Sequence, residues 1–335
     1  MRKSLIVLLV ALIACASVFA GGDSESDSAK SNIITVGTGS VGGTDNVVVE
    51  AISSVVNSKT DLRTSTVTTA GGAEIIYLLE SGDLKAGYSG TIDIVNALNG
   101  DDVFNHKIDQ SHMLQCFGFV TWNLPIVVLS SSSIKTYEDL VGKRVGLSPV
   151  GSFTASVLNA VFEAMGIKDK IKIDNFTWSE GYTALKDKRI DAFVGSWSNG
   201  APISGLIELK ATEGIRILDL DPSVVSKIKE INSGIGGGYL TSANDDSIPE
   251  GVSVLCPANS GVIIADASVS EEDMYKYTKA VFENLDALKA TSNYFYGFED
   301  VATAVCIENV PFHPGAAKAL KEVGYWKDTF TVYGE

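Results

Sequence analysis

Ile33-to-Val36 is a short apolar run. In 44–57 Val47, Val48, Ala51, Ile52, Val55 and Val56 recur at spacings that gather them on one side of a helix. A strand at 65–69, a helix at 73–80 and a strand at 84–88 follow. This alternation predicts a mostly parallel sheet with helices on both faces. Two extended apolar segments, 113–121 and 125–129, then succeed one another with no helix between them. A helical turn at 136–140 and a strand at 143–147 open a second alternating series. It runs through helix 153–165, strand 171–177, helix 179–187, strand 190–195, helix 202–211 and strand 215–219. Residues 252–265 read as extended, and helices at 271–290, 299–305 and 315–323 close the chain.

The second series echoes the first. A strand runs into Gly37-Thr38-Gly39-Ser40-Val41-Gly42-Gly43-Thr44 and then a helix; another runs into Gly146-Leu147-Ser148-Pro149-Val150-Gly151-Ser152-Phe153-Thr154 and then a helix. Leu78-to-Ser89 and Ala184-to-Ser196 repeat a further plan, an apolar helix, a charged turn, and a strand ending in a small polar loop. Two lobes with one internal plan follow. At 335 residues, 45% of them hydrophobic, the chain is long enough for two cores.

Arg2 and Lys3 precede an apolar run of 16 residues, Leu5 to Ala20. That is short of the roughly 20 residues a membrane helix needs. Val18-Phe19-Ala20 before Gly21 has the small-residue pattern of signal-peptide cleavage, so 1–20 is expected to be an export signal. Leu12-Ile13-Ala14-Cys15 offers a rival lipoprotein site, with Cys15 as the lipid carrier. Residues 21–31 form a Gly/Ser/acidic tether. An extracytoplasmic location follows from either cut.

Without Arg2 and Lys3, 24 basic residues face 41 acidic ones, a net charge of about −17. This excludes nucleic acid and anionic membrane surfaces as partners. It does not exclude an anionic ligand, since one site can differ in sign from the whole surface. Cys116, Cys256 and Cys306 form no C-x-x-C pair, so neither a disulfide framework nor a zinc site is indicated. Buried free thiols are expected, with a Cys116–Cys256 bridge as the alternative. His106, His112 and His313 have no metal-ligand spacing; His313 reads as a helix-start residue.

In open parallel sheets, ligands sit beyond the carboxyl ends of the strands. Loops 37–44, 88–93, 148–154 and 196–202 belong there, and all are rich in Gly, Ser or Thr. Glycine admits a ligand close to the backbone, and free N–H groups at helix starts favour negative charge. Gly39, Gly42, Asp93, Ser148 and Asn199 enter the candidate contacts through these loops, with Phe153 and Trp197 as candidate ligand-touching rings. Gly37, Gly39 and Gly42 also satisfy G-x-G-x-x-G, but the next strand ends in Thr68-Thr69-Ala70-Gly71-Gly72, without the acid that grips a ribose. No G-x-S-x-G elbow or P-loop occurs. A binding protein without cofactor, metal or catalytic residues is expected. An exported enzyme or a sensory binding module on the same scaffold is the alternative.

Ile34-to-Thr44 resembles the opening signature of the TAXI-type substrate receptors of TRAP transporters. Ala280-to-Leu288 and Pro311-to-Ala317 resemble that family's C-terminal pattern. Ser133-to-Val145 resembles a segment shared by many bacterial binding proteins. The resemblance implies a two-lobed type II periplasmic binding fold of α/β class, a Venus-flytrap, with 113–130 and 252–262 as crossing strands. Lobe I would hold 32–122 and 258–335, and lobe II 123–257. It further implies a monomeric receptor that binds a small organic acid or a zwitterionic, glutamate-like amino acid and delivers it to an integral-membrane TRAP permease. Ligand contacts would fall on Ser40, Gly43, Thr44, Ser89, Thr91, Ser152, Thr154, Trp197 and Ser198. Asp45 stands where the signature often has an aromatic residue, and Phe153 where glycine is common. An acid at 45 would repel a carboxylate or grip an amino group.

Overall fold

The computed structural model describes Ile33–Glu335 apart from Ser40, Gly42 and Glu308. The expected signal, the Cys15 site and the 21–31 tether lie outside the described residues. The strands are β1 (Ile33–Thr38), β2 (Arg63–Thr68), β3 (Ala86–Gly90), β4 (Leu114–Asn123), β5 (Ile126–Leu129), β6 (Arg144–Leu147) and β7 (Lys172–Asn175). They continue with β8 (Ala192–Val194), β9 (Trp197–Ser198), β10 (Ala201–Pro202), β11 (Ile215–Ile217), β12 (Gly236–Thr241) and β13 (Ser253–Ala265). The helices are α1 (Thr44–Lys59), α2 (Gly72–Ser81), α3 (Thr91–Asn99), α4 (Phe153–Ala164), α5 (Trp178–Lys186) and α6 (Ser204–Glu213). Then come α7 (Pro222–Ile231), α8 (Glu271–Phe282), α9 (Leu285–Lys289), α10 (Phe298–Val301) and α11 (Pro314–Val323).

Two sheets result. The larger runs β10-β9-β4-β13-β3-β1-β2 with β12 also against β13, and the smaller runs β11-β5-β8-β6-β7. Strand–helix–strand connections pair β2-β1-β3 and β7-β6-β8 in parallel. Parallel pairing stops at these three strands per sheet, whereas the sequence pattern predicts mostly parallel sheets. In the larger sheet β13 arrives late in the chain and runs antiparallel to β3, β4 and β12; in the smaller, β5 runs antiparallel to β8 and β11. Together with helices on both sheets, this is a two-lobed α/β fold of the type II periplasmic binding class.

Close helix–strand packing explains one glycine of the G-x-G-x-x-G run. Gly37 pairs with Gly87 across β1 and β3. A Cβ at Gly37 would come within 2.7 Å of Ile75 in α2, and one at Gly87 within 2.5 Å. Ile75, Ile76 and Leu79 are thereby buried over the sheet, as are Val48, Val49, Ile52, Val55 and Val56 of α1. Each such side chain contributes about 1.5–3 kcal/mol relative to exposure. Gly146 of β6 answers Gly37 in the smaller sheet, lying 2.7 Å by the same measure from Ile190 and Phe193.

Among the described residues the chain passes between the sheets at 124–125, at 195–196, across 203–214 and across 218–235. The first, second and last of these crossings are tied together. Gly195 N–H donates to Pro125 O (2.7 Å), Leu218 N–H to Ile126 O (2.9 Å), and Leu124 N–H to Pro257 O (2.8 Å). The expected crossing at 252–262 is instead the first part of β13. β9, β10 and β12, all within 123–257, belong to the larger sheet.

Cys116, Cys256 and Cys306 are buried free thiols. His313 starts α11: its Nδ1 accepts from Gly315 N–H (3.2 Å) and its Nε2 lies 3.0 Å from Val269 O.

Candidate functional site

The carboxyl ends of the parallel strands in both sheets open on one cleft of about 1080 Å³. The first residues of α1 and α2 line it from the larger sheet, and those of α4, α5 and α6 from the smaller. The first N–H groups of a helix have no partner within it, so these starts present donors and partial positive charge. In α4 the Ser152 side chain caps the end, accepting from Ala155 N–H (3.3 Å) and donating to Pro149 O (2.7 Å). Ser148 lines the cleft just before this turn. It is only 2% exposed, and its Oγ has no hydrogen-bond partner. Buried hydroxyls are nearly always bonded, so an orphan on a cleft wall points to a ligand atom.

The opposite wall is acidic. Asp45, in the first turn of α1, accepts from the Tyr88 hydroxyl and from the backbone N–H groups of Gly39 and Asn46. Burial raises its pKa, and those hydrogen bonds oppose the rise. Tyr88 in turn packs edge-on against Phe119, ring centroids 6.0 Å apart. Asp93, in the first turn of α3, is 8% exposed and reaches the cleft past Gly72 and Gly90. Burial first, then the Asp102 charge, push its pKa to about 7, against a hydrogen bond from Gly90 N–H. Neither carboxylate is influenced by a neighbouring cation. Among the described residues, Lys186 is the one basic side chain lining the cleft, and it is exposed at the end of α5.

The walls meet through side chains from both sheets. Trp122, at the end of β4, lies against Phe153, the first residue of α4, with centroids 4.8 Å apart and planes at 36°. On the larger sheet's side, Thr44 Oγ1 and Ser198 Oγ are 3.3 Å apart. Ser156 of α4 donates to Asp102 Oδ2 (2.9 Å), beyond α3.

Of the candidates, Gly43, Thr44, Asp45, Asp93, Ser148, Ser152, Phe153, Thr154 and Ser198 line this cleft. Ser40 and Gly42 lie outside the described residues. Gly39 stands behind Asp45, where a Cβ would fall 1.6 Å from Asp45 Oδ2. Four others serve the scaffold. Ser89 is fully buried, its Oγ 3.4 Å from Gly90 O. Thr91 Oγ1 sits 2.6 Å from Gly234 O and 2.8 Å from Asn259 Oδ1, docking the start of α3 on its neighbours. Trp197 is fully buried, its ring filling the space beside Gly195. Asn199 (φ +46°) accepts from Thr121 N–H (2.9 Å) and donates to Phe119 O (3.2 Å) and Tyr294 O (2.9 Å). Its side chain ties the β9–β10 turn to β4 within the larger sheet.

Pattern reading misses Tyr88, Trp122 and the Gly71–Gly72 pair as wall residues. Tyr88 lies in β3 and Trp122 in β4, each close to the carboxyl end, and Gly71–Gly72 follows β2; nearness to a strand's carboxyl end is the signal that finds them. Trp178 and Tyr182 are also missed; they extend the cleft along α5, opposite Ser204 and Glu208 of α6.

Residues 36–324 match the NMT1-like family. The chain belongs to that family. This NMT1-like chain is also similar to MatC from Rhodopseudomonas palustris with bound malate. The likeness covers 89% of this chain and 98% of that one, with a TM-score of 0.54 and 10% identity. It resembles the periplasmic aliphatic sulphonate binding protein SsuA from Escherichia coli at a TM-score of 0.45 and 14% identity, over 82% of this chain and 80% of that one. A putative thiamine biosynthesis protein of Haemophilus influenzae is 33% identical over 75 residues, which span 22% of this chain and 23% of that protein. The NMT1-like chain thus matches about a quarter of that relative's length.

Proposed function

We propose that the chain is an extracytoplasmic solute receptor that closes on a small organic acid or amino acid and delivers it to a membrane transporter of the TRAP type. The observation that carries this reading is the cleft itself. Both sheets build it, Trp122 meets Phe153 across it, and the sealed Ser148 hydroxyl has no partner in it. A ligand that touches both walls favours the shut state by its differential affinity. The TAXI-like signature and the fold of MatC, a protein solved with malate, support the same class. Export is supported by the N-terminal pattern.

The test is a thermal-shift screen of organic acids and amino acids, paired with small-angle scattering. A bound ligand raises Tm by mass action, and the scattering profile contracts. A panel without any shift, together with an unaltered profile, would sink the receptor reading.

One observation favours a second reading. A buried acid with a pKa near 7 beside another carboxylate is also how an enzyme arranges general acid–base catalysis. Mass spectrometry separates the two: a receptor returns its ligand unchanged, and an enzyme does not.

A further inference from the structure

The polarity of the cleft says more about the ligand than its size does. On the side of α3, Asp93 is buried and points to the cavity between two glycines. A Cβ at Gly72 would lie 2.7 Å from its Oδ2, and one at Gly90 3.3 Å. Only hydrogen at these positions leaves the carboxylate open to a guest. Asp45 adds a second negative charge, with the Tyr88 hydroxyl bonded to it. A carboxylate has room for about four hydrogen bonds, and Asp93 receives one, from Gly90 N–H. Two anionic groups without a cation are costly to bury. On the side of α4, the start of a 12-residue helix meets the orphan hydroxyl of Ser148, with no charged side chain in its first turn. That pole accepts negative charge or a hydrogen-bond acceptor. The rings of Trp122 and Phe153 also line the cleft, and aromatic faces attract a nearby cation.

We infer that the ligand carries a protonated amine seated on Asp93 and Asp45, and at most one carboxylate, held by Ser148 and the start of α4. This deepens the receptor reading and rests on it. A dicarboxylate would place its second charge against Asp93 or Asp45, with Lys186 exposed at the rim as the sole basic side chain among the described lining residues. The cleft therefore selects neutral or basic amino acids over malate, succinate and glutamate.

The test uses matched probes on the full mature chain, at one salt concentration and pH 8. L-leucine, L-alanine and L-arginine are titrated beside 2-hydroxyisocaproate, lactate, succinate, L-malate and L-glutamate, by calorimetry and thermal shift. The expected result is that at least one amine-bearing monocarboxylate binds, and its hydroxy counterpart binds at least about tenfold more weakly, as loss of a charged hydrogen bond predicts. Asp93→Asn and Asp45→Asn should each weaken that probe at least about tenfold. Succinate, malate or glutamate binding as tightly as the best amine would overturn the inference while leaving the receptor reading in place. Equal affinity for an amino acid and its hydroxy analogue would do the same. A panel that binds nothing overturns both. The probe comparison uses the unaltered protein, so a variant that fails to fold does not blunt it.

Discussion

The loop that leads into α1 and the loop that leads into α4 share a plan, and they differ where chemistry matters. Both leave a parallel strand through small residues. Both expose a valine, Val41 at 83% and Val150 at 84%. The first then puts an acid, Asp45, into the first helical turn and has no side-chain cap. The second has Ser152 as cap and Phe153 as its first helical residue, with no acid in that turn. A helix start is electropositive by construction. The acid cancels that field at α1, and nothing cancels it at α4. Duplicated geometry thus yields two poles of opposite sign, enough to orient a guest.

The comparison can be attacked at each pole. The largest effect is expected at Asp93, which shares the acidic side with Asp45. Its pKa of about 7 lies well above the 3.8 of an exposed aspartate. Folding therefore takes up a proton between these values, and stability drains away as pH rises from about 4 to about 7. Asp93→Asn is expected to match the parent below pH 4 and to exceed it by up to about 4 kcal/mol above pH 7. Urea titrations of the unliganded protein across that range check this. A constant difference at every pH would show that Asp93 is not the acid that strains this pole.

Next comes the paired glycine test. Gly39→Ala drives a methyl into the Asp45 carboxylate and is expected to cost about 2 kcal/mol as overpacking. Gly151, on the other loop at φ +83° with nothing within 4 Å, has only backbone strain to lose. Gly151→Ala should cost about 1 kcal/mol. Ligand affinity should fall for the first, by calorimetry. The smallest effect concerns the cap. Ser152→Ala should cost about 1 kcal/mol in urea unfolding, with a matching loss of affinity because α4 loosens at its start.

Much of this was legible beforehand because the two loops sit at strand ends, and strand ends can be read from apolar runs. The helix expected at 153–165 is α4, and that at 73–80 is α2. What escaped has particular causes. β12 begins Gly236-Gly237-Gly238, which carries no strand signature, and is held only by pairing with β13. α7 had its signals, Asp221 as cap and Pro222 at the first turn, but no strand pattern framed them. The expected helix 271–290 breaks at Asn284, into α8 and α9. Trp197 and Asn199 lie in the right loop, yet the larger sheet consumes both, Trp197 in β9 and Asn199 on β4. Sequence places a residue in a loop; it does not say which way its side chain turns.

The position of β13 has a consequence for how the molecule is made. It lies between β3 and β4, so these two strands, complete by residue 123, have no shared neighbour until residue 265 exists. The smaller sheet uses only 126–217, and its first and last strands, β5 and β11, zip together. A chain emerging from its amino end can finish the later lobe while the earlier one waits, half built, with an unfilled slot. The half that begins first is completed last.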